Sequence, residues 1–455
     1  MQTFTQYLSN VRDLLWGPWL LVLLVGTGAW LTLRLRGIQF RLLGHALRLV
    51  VSREHTGQGD ISHLGALMIS LAATVGVGNI AGVATAVASG GPGAVVWMWI
   101  TALFGMATKY SEAFLAVRFR EVNREGEISG GPMYYLKNGM RSPRLATAFA
   151  FFGAMAAFGI GNMVQANTTA DAIHGATGLP PALIGIFLAV ITWLVIVGGV
   201  KRIAKVVILL VPAMVGFYFL GSIFIILRFA ENLPQGIALL FESAFTGTAA
   251  VGGFAGATVA QAISFGVARG LFSNESGLGS APIAAAAAKT DQPGRQALVS
   301  MTGTFIDTLV VCSLTGLVLA VTQVWQSGQT GAQLTQSAFE LGMGPIGEAL
   351  ITLAVATFAL STILGWGYYG EKCFEYLTRQ RGILIYRYAW VAFVFIGAAM
   401  NLELAWIISD AMNALMAVPN LIGLLVLSNL LARETRAFER EFLESPSSRK
   451  SGTGK

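Results

Sequence analysis

Residues 72–84 read AATVGVGNIAGVA. They lie inside the apolar run 63–89, which otherwise reads as one plain helix. Glycine costs ~1 kcal/mol against alanine inside a helix. Gly76, Gly78 and Gly82 weaken this helix near its middle, and Thr74 and Asn79 add polar atoms there. Unwound backbone in lipid frees N–H and C=O groups, each costly unless something polar satisfies it. Such a break is tolerable where it lines a cavity or holds an ion or a polar solute. Gly76 and Gly78 free the backbone, Asn79 is placed to cap the half-helix that follows, and Thr74 offers a hydroxyl. For Gly82, Ala84 and Ala88, close helix packing is the better reading. The same residues match the dinucleotide pattern G-x-G-x-x-A, but a preceding strand and an acidic residue ~20 positions on are missing.

The rest of the chain places this run in a membrane. Only 12% of the 455 residues are charged and 55% are hydrophobic. That is about half the charged fraction of a soluble domain. The apolar residues come in blocks long enough to cross a ~30 Å hydrocarbon core as helices. Spans are expected at 16–34, 63–89, 94–118, 146–174, 182–199, 206–229, 257–287, 297–321, 346–376, 384–400 and 404–431. A Gly-rich stretch of shorter segments fills 233–255. The net charge of +7 is concentrated in loops. With eleven spans, every basic loop falls on one side, while 90–93, 175–181, 230–256, 322–345 and 401–403 hold almost no Lys or Arg. The positive-inside pattern then puts the N-terminus outside and the C-terminus in the cytoplasm, and argues against nucleic acid as the partner of the positive charge. No cleavable signal peptide is apparent, and the tail from Ser445 reads as disordered. Cys312 and Cys373 suggest no disulfide, and the four histidines show no metal spacing.

Setting aside the first span leaves five in 63–229 and five in 257–431, joined by an outer segment at 230–256. The first span and its linker occupy 1–62, and a cytoplasmic tail occupies 432–455. Two halves of five spans must run in opposite senses, a transporter signature. Each half opens on Asn-x-x-Gly near mid-membrane, as VGNIAGVA with Asn79 and Gly82, and as FSNESGLG with Asn274 and Gly277. The fold expected is therefore all-α and polytopic, with a discontinuous first helix in each of two inverted five-helix repeats.

The segments ATVGVGNIAGVATAVASGGPGAVVWMW, GEISGGPMYYL, GLFSNESGLGSAPIAAAAA and STILGWGYYGEKCFEYL resemble the alanine/glycine:cation symporter family over about 60–430. The resemblance implies the five-plus-five fold of the sodium-coupled neurotransmitter and leucine transporters, with an extra N-terminal span. It also implies sodium coupling and small neutral amino acids as substrates. By the same resemblance a sodium site would take the carbonyls of Ala72, Val75 and Phe358 and the hydroxyls of Ser361 and Thr362. The i, i+3, i+4 spacing puts the last three on one helix face; the alternative is hydroxyls bonded back to their own helix.

The substrate is expected between the two breaks. Gly76, Val77, Gly78 and Asn79 would face its carboxylate, with Gln165 completing that end. Gly270, Phe272, Ser273 and Asn274 would receive the ammonium. Trp366, one turn beyond Thr362, would wall the side-chain pocket and favour small side chains by exclusion. Asn162 and Asn167 are weaker candidates, as able to bridge helices. Charges at depth are functional candidates by default. Glu275 is placed to tune the site, and Asp307 to meet the amine or a coupling proton. Asp171 and Arg269 suggest an outer gate, and Lys109 with Glu112 a structural pair or inner gate. Trp97 and Trp99 read as interface anchors.

No H-E-x-x-H, G-x-S-x-G or Walker motif offers an enzyme its chemistry. A channel would need repeated pore segments, whereas here two distinct broken helices meet. The reading is a sodium-coupled symporter of alanine and glycine in the plasma membrane, such as a bacterial inner membrane. It needs no organic cofactor, and a monomer is the working expectation. The alternative is a proton-coupled, or glutamine- or serine-preferring, carrier of the same fold.

Overall fold

The computed structural model describes residues 2–52, 57–249, 254–400 and 403–444. The tail expected from Ser445 and the expected loop at 401–402 lie outside them. Within them the chain is almost wholly helical. Six helices are long and apolar enough to cross a membrane, and a bent pair makes a seventh by length and composition. Two shorter apolar helices, Pro181–Ile196 and Ile383–Ala399, fall where spans are expected. Helices Ala94–Arg118 and Val259–Asn274 occupy two more of the expected positions. Helices the sequence reading does not place include Gln2–Leu15 before the first span, Leu43–Val51 in the linker after it, and Gly331–Met343 between two later spans.

The spans divide by how much of their apolar surface the protein covers. The central windows of Pro293–Thr322 and Pro345–Thr378 are 67% and 61% buried, against 33% for Gly199–Arg228 and 28% for Thr5–Arg34. The well-covered helices form the interior. The other two present most of their apolar side chains outward, as spans facing lipid must.

The expected break in the first core helix is present. Ser62 caps helix His63–Thr74 by accepting from the Gly65 N–H at 3.0 Å. The helix stops at Val75 and resumes at Gly78 with its axis bent by 51°. The resumed part begins as a π-helical turn over Gly78–Gly82. Similar wide turns interrupt the interior spans at Gly159–Met163 and Phe305–Cys312. Such turns leave carbonyls without their usual partners and recur at functional sites.

The second break is longer. Thr258 and Gln261 form a capping box that starts helix Val259–Asn274. Glu275 then takes a left-handed conformation (φ 56°), and the helix restarts at Pro282. Between them Gly277 and Gly279 adopt φ of 91° and 85°. Only glycine does so at little cost, which accounts for both at this position.

On the side of the basic loops the bundle is sealed. Backbone at 58–61 lies along 287–290, with Asp60 N–H to Ala287 O at 2.9 Å and Lys289 N–H to Ile61 O at 2.8 Å. The Arg120 guanidinium donates to four carbonyls there, those of Gln58, Ala286, Ala288 and Thr290. A two-stranded hairpin, Glu121–Val122 against Ile128–Ser129, packs beside them. The Ile128 N–H bonds the Asp60 carboxylate at 2.8 Å. Burial pushes the Asp60 carboxyl above the usual range, against the opposing pull of that hydrogen bond.

Candidate functional site

Of the five oxygens expected to act together, the Ser361 hydroxyl lies near the three carbonyls, and Thr362 reaches the carbonyl of its own helix. The Ser361 hydroxyl lies 3.1 Å from Ala72 O, 3.4 Å from Val75 O and 2.8 Å from Phe358 O. Thr362 Oγ1 lies 3.0 Å from Phe358 O. Ala72 and Val75 carry the carbonyls released where the first helix stops, and the other three residues share one face of Pro345–Thr378. The two readings of the hydroxyls, self-bonded or facing the break, prove compatible, because Ser361 does both. These hard, neutral oxygen donors match what a weakly held alkali cation needs. Gly76 packs directly on this group: a Cβ there would overlap Thr362 Oγ1 and sit 3.8 Å from Gln165 Oε1.

Asn79 does not cap the half-helix that follows; its Oδ1 turns back across the break and accepts from the Gly76 N–H at 2.9 Å. Its Nδ2 turns the other way and donates to Asp307 Oδ1 at 2.8 Å and to the Asp307 carbonyl at 3.2 Å. Asp307 lies on the wide turn 305–312, and its Oδ2 accepts from Ser273 (2.9 Å) and Thr308 (2.7 Å). Thr308 in turn accepts from Asn274 Nδ2 at 3.1 Å, and Asn274 Oδ1 caps the Ser276 N–H at 3.0 Å. A continuous hydrogen-bonded chain thus joins the two breaks through Asp307. The Asn-x-x-Gly pattern pointed to both ends of this chain. The centre was visible in sequence only as a charge at membrane depth.

The second break is answered from outside its own segment. Glu112 Oε1 accepts from the Gly277 and Gly279 N–H groups, both at 3.1 Å, and from Asn420 Nδ2 at 2.7 Å. Asn420 also donates to Gly277 O at 2.8 Å and accepts from the Tyr135 hydroxyl. The expected Lys109–Glu112 pair is therefore not made. The acid is held by backbone N–H groups, which a carboxylate with two free lone-pair oxygens satisfies better than another neutral group would. Asn420 and Tyr135 escaped the sequence reading, since nothing local marks them.

The remaining candidates divide. Gln165 donates to Ile160 O at 3.0 Å, while its buried Oε1 has no partner among the described residues and faces Gly76. Phe272 packs its ring on Gly78, 3.5 Å from the Cβ position there. Trp366 lies against Gly161, and its Nε1 donates to Glu275 Oε1 at 2.8 Å. Val77 is nearly buried beside them. Thr74 bonds back to Ser70 O at 3.0 Å, so its hydroxyl serves its own helix. Gly270 lies away from the break, where its missing side chain admits Met98. Asn162 and Asn167 bridge helices, to Trp390 O at 2.8 Å and Met400 O at 3.2 Å.

One further expectation is corrected. Arg269 does not meet Asp171, which is exposed. It shares a cavity of about 320 Å³ with Asp410, Arg12 and Asp13, and that cavity reaches Phe272. Trp97 and Trp99 are fastened to protein, donating to Ala244 O (3.0 Å) and Ser313 Oγ (2.7 Å). Their half-buried indoles join helices and do not rest on the interface alone. Among the described residues no group of three or more His, Cys, Asp or Glu is arranged to hold a metal ion.

Two broken helices crossing inside a bundle, with ion-type oxygens at one break, define a polytopic membrane carrier. The fold agrees with that of MhsT in complex with L-phenylalanine, at a TM-score of 0.56 and 15% identity, covering 85% of this chain and 97% of that one. The chain belongs to the sodium:alanine symporter family, whose match covers residues 1–451. It is 53% identical over 445 residues to the sodium/alanine symporter AgcS of Methanococcus maripaludis, across 96% of this chain and 97% of AgcS. It is 34% identical over 445 residues to the probable sodium/glutamine symporter GlnT of Bacillus subtilis, across 97% and 92% respectively. This is a family of carriers, not of enzymes.

Proposed function

We propose that the protein is a sodium-coupled symporter that carries small neutral amino acids, alanine and glycine, into the cell. The observation that carries the reading is the meeting of Ala72, Val75 and Phe358 carbonyls with the Ser361 and Thr362 hydroxyls. These atoms come from the first helix of one five-helix half and a helix of the other. A sodium ion bound among them ties the two halves together and loses its ligands when they rock apart. That is alternating access in terms of named atoms. The amino acid lies beside it, with its carboxylate at the N–H groups of Val77 and Gly78, since those of Gly76 and Asn79 are engaged within the break, and its ammonium toward the carbonyls and hydroxyl of 272–274. The Gln165 oxygen, without a partner among the described residues, faces the same space, and its amide binds either end of a zwitterion after a flip. Trp366 closes the side-chain pocket and keeps it small.

The proposed arrangement is eleven spans, one N-terminal and two inverted sets of five, working as a monomer in the plasma membrane. The N-terminus lies outside and the C-terminus in the cytoplasm, as the basic loops require. A glutamine-preferring carrier is the second reading, favoured by the relationship to GlnT. Reconstituted protein tests the first. Alanine uptake into proteoliposomes should follow an imposed Na⁺ gradient and compete with glycine. Uptake unchanged when K⁺ replaces Na⁺ at constant pH would overturn sodium coupling, and stronger competition by glutamine would favour the second reading.

A further inference from the structure

The hairpin of Glu121–Val122 against Ile128–Ser129 has no part in the transport reading, yet it grips the elements that build the site. Its turn holds its own shape. Asn123 Oδ1 accepts from the Glu125 and Glu127 N–H groups at 3.0 and 2.8 Å, and Gly126 takes a φ of 80°. On one side the Ile128 N–H bonds the Asp60 carboxylate at 2.8 Å, two residues before the Ser62 cap of the first helix. On another side stands Lys372, near the end of helix Pro345–Thr378. It donates to Glu375 on its own helix at 2.7 Å, and to Glu127 and Ser129 of the hairpin, both at 3.3 Å. All three hydrogens of its ammonium are thereby used. The Ser129 hydroxyl in turn donates to Glu375 Oε1 at 2.7 Å, and Asn123 Nδ2 donates to the same oxygen at 3.2 Å. Lys372, Glu375 and Ser129 are all buried. Just past the hairpin, a Cβ on Gly130 would overlap Ala286 Cβ, on the helix that restarts after the second break.

The first helix and helix Pro345–Thr378 are therefore bridged twice. One bridge is the oxygen group, where Ala72 and Val75 meet Ser361. The other is the hairpin, held between Asp60 and the Lys372–Glu375 pair. Ten residues separate Ser62 from Ala72, and ten separate Thr362 from Lys372. At 1.5 Å per residue both intervals are about 15 Å, so the bridges match in depth along the two helices. Helices move as rigid rods. Ends held by the hairpin keep the oxygen group assembled, and an ion seated in that group keeps the ends at the hairpin.

We propose that the hairpin is an inner clasp whose release opens the site to the cytoplasm, and that sodium in the oxygen group holds it shut. The proposal rests on the sodium-coupled reading above. Sodium favours the shut state by mass action, and opening lets the ion escape. Without sodium the hairpin contacts alone hold the two helices together on this side. Glu127, with its side chain 38% exposed, is the member that water reaches first. A hairpin that only stabilised the fold would stay seated whether or not sodium was present.

A cysteine at Ile128, a side chain buried while the hairpin is seated, reads the clasp. Full-length Ile128→Cys protein in detergent is labelled with a charged maleimide, and wild type gives the background of the buried Cys312 and Cys373. With Na⁺ at ten times its half-protecting concentration, labelling should be about tenfold slower than in K⁺. Adding Glu127→Ala should raise the half-protecting Na⁺ by about threefold, the scale of one partly exposed ion pair. Adding Glu125→Ala, exposed on the same turn, should leave it unchanged. Equal labelling in Na⁺ and K⁺, alongside wild-type alanine uptake that requires Na⁺, overturns the proposal. A half-protecting Na⁺ that Glu127→Ala leaves unmoved also overturns it. If Ile128→Cys does not yield folded protein, amide hydrogen exchange over 121–131 of the wild type decides. Slower exchange in Na⁺ than in K⁺ supports the clasp, and equal exchange overturns it. Wild-type uptake that ignores Na⁺ would instead remove the sodium-coupled reading, and the role of sodium at the clasp with it.

Discussion

At the first break the released groups are answered by a neutral amide and a hydroxyl. Asn79 caps Gly76 from three residues away, and the carbonyls of Ala72 and Val75 face the Ser361 hydroxyl. At the second break the answer comes from two other helices. Glu112 and Asn420 hold Gly277 and Gly279 with a charged acceptor and an amide. A hydroxyl is a modest partner that an ion displaces readily. A buried carboxylate bound to backbone N–H groups is strong and costly to remove. The first break is therefore the one suited to bind and release, and the second is suited to hold shape. Asp307 connects them, so a change at one is felt at the other.

The comparison can be broken at its strongest point first. Glu112→Ala should cost about 3 kcal/mol or more, because two backbone N–H groups and an amide lose a charged acceptor in the bundle interior. Thermal unfolding in detergent measures this, and a melting temperature equal to wild type would remove the scaffold role of the second break. Thr362→Ala and Ser361→Ala should instead leave stability within about 1 kcal/mol, since each loses one neutral hydrogen bond. They should raise the half-saturating Na⁺ for alanine uptake by roughly tenfold, the loss of one good oxygen ligand. Equal losses of stability in both sets of variants would show that the two breaks do not differ as described.

Asn79→Ala tests the link between the breaks. It leaves Gly76 uncapped and Asp307 short of a donor, and uptake should fall further than in Thr362→Ala. Trp366→Phe keeps the bulk and removes the bond to Glu275. Uptake should persist, with discrimination between alanine and larger side chains relaxed by a few-fold, read by competition. The smallest effect is expected far from both breaks. Burial raises the Asp60 carboxyl, so its ionisation weakens the sealed face as pH rises above its unfolded value of 3.8. Asp60→Asn removes that cost while its amide oxygen still accepts from Ile128. It should melt no lower than wild type near neutral pH, and a clear loss would show that the charge itself matters there.

Much of the site was legible because it is local in sequence. A helix that stops in lipid must carry glycine to unwind and a short polar side chain to meet the freed backbone, and both lie within six residues of Thr74. The Ser361/Thr362 pair came from the family resemblance, and helical spacing adds only that their hydroxyls and the Phe358 carbonyl share one face. Glu112 was misread as the partner of Lys109 because helical spacing reports neighbours on the same helix and nothing beyond it. Asp171 and Arg269 failed as a pair on the same ground: both were visible as charges, but the approach of Asp410 is a matter of packing.

What the sequence by itself determined is the membrane class, the positions of the apolar helices and the location of both breaks. Each follows from hydrophobic length, helical period or the conformational freedom of glycine, which act over a few residues. What only the tertiary structure decided is which groups satisfy each break: Asp307 between them, and Glu112 and Asn420 on the second. Those contacts join residues up to 308 positions apart, and a hydrogen bond needs its two atoms brought within about 3 Å. Only the packing of whole helices sets distances that short across the chain.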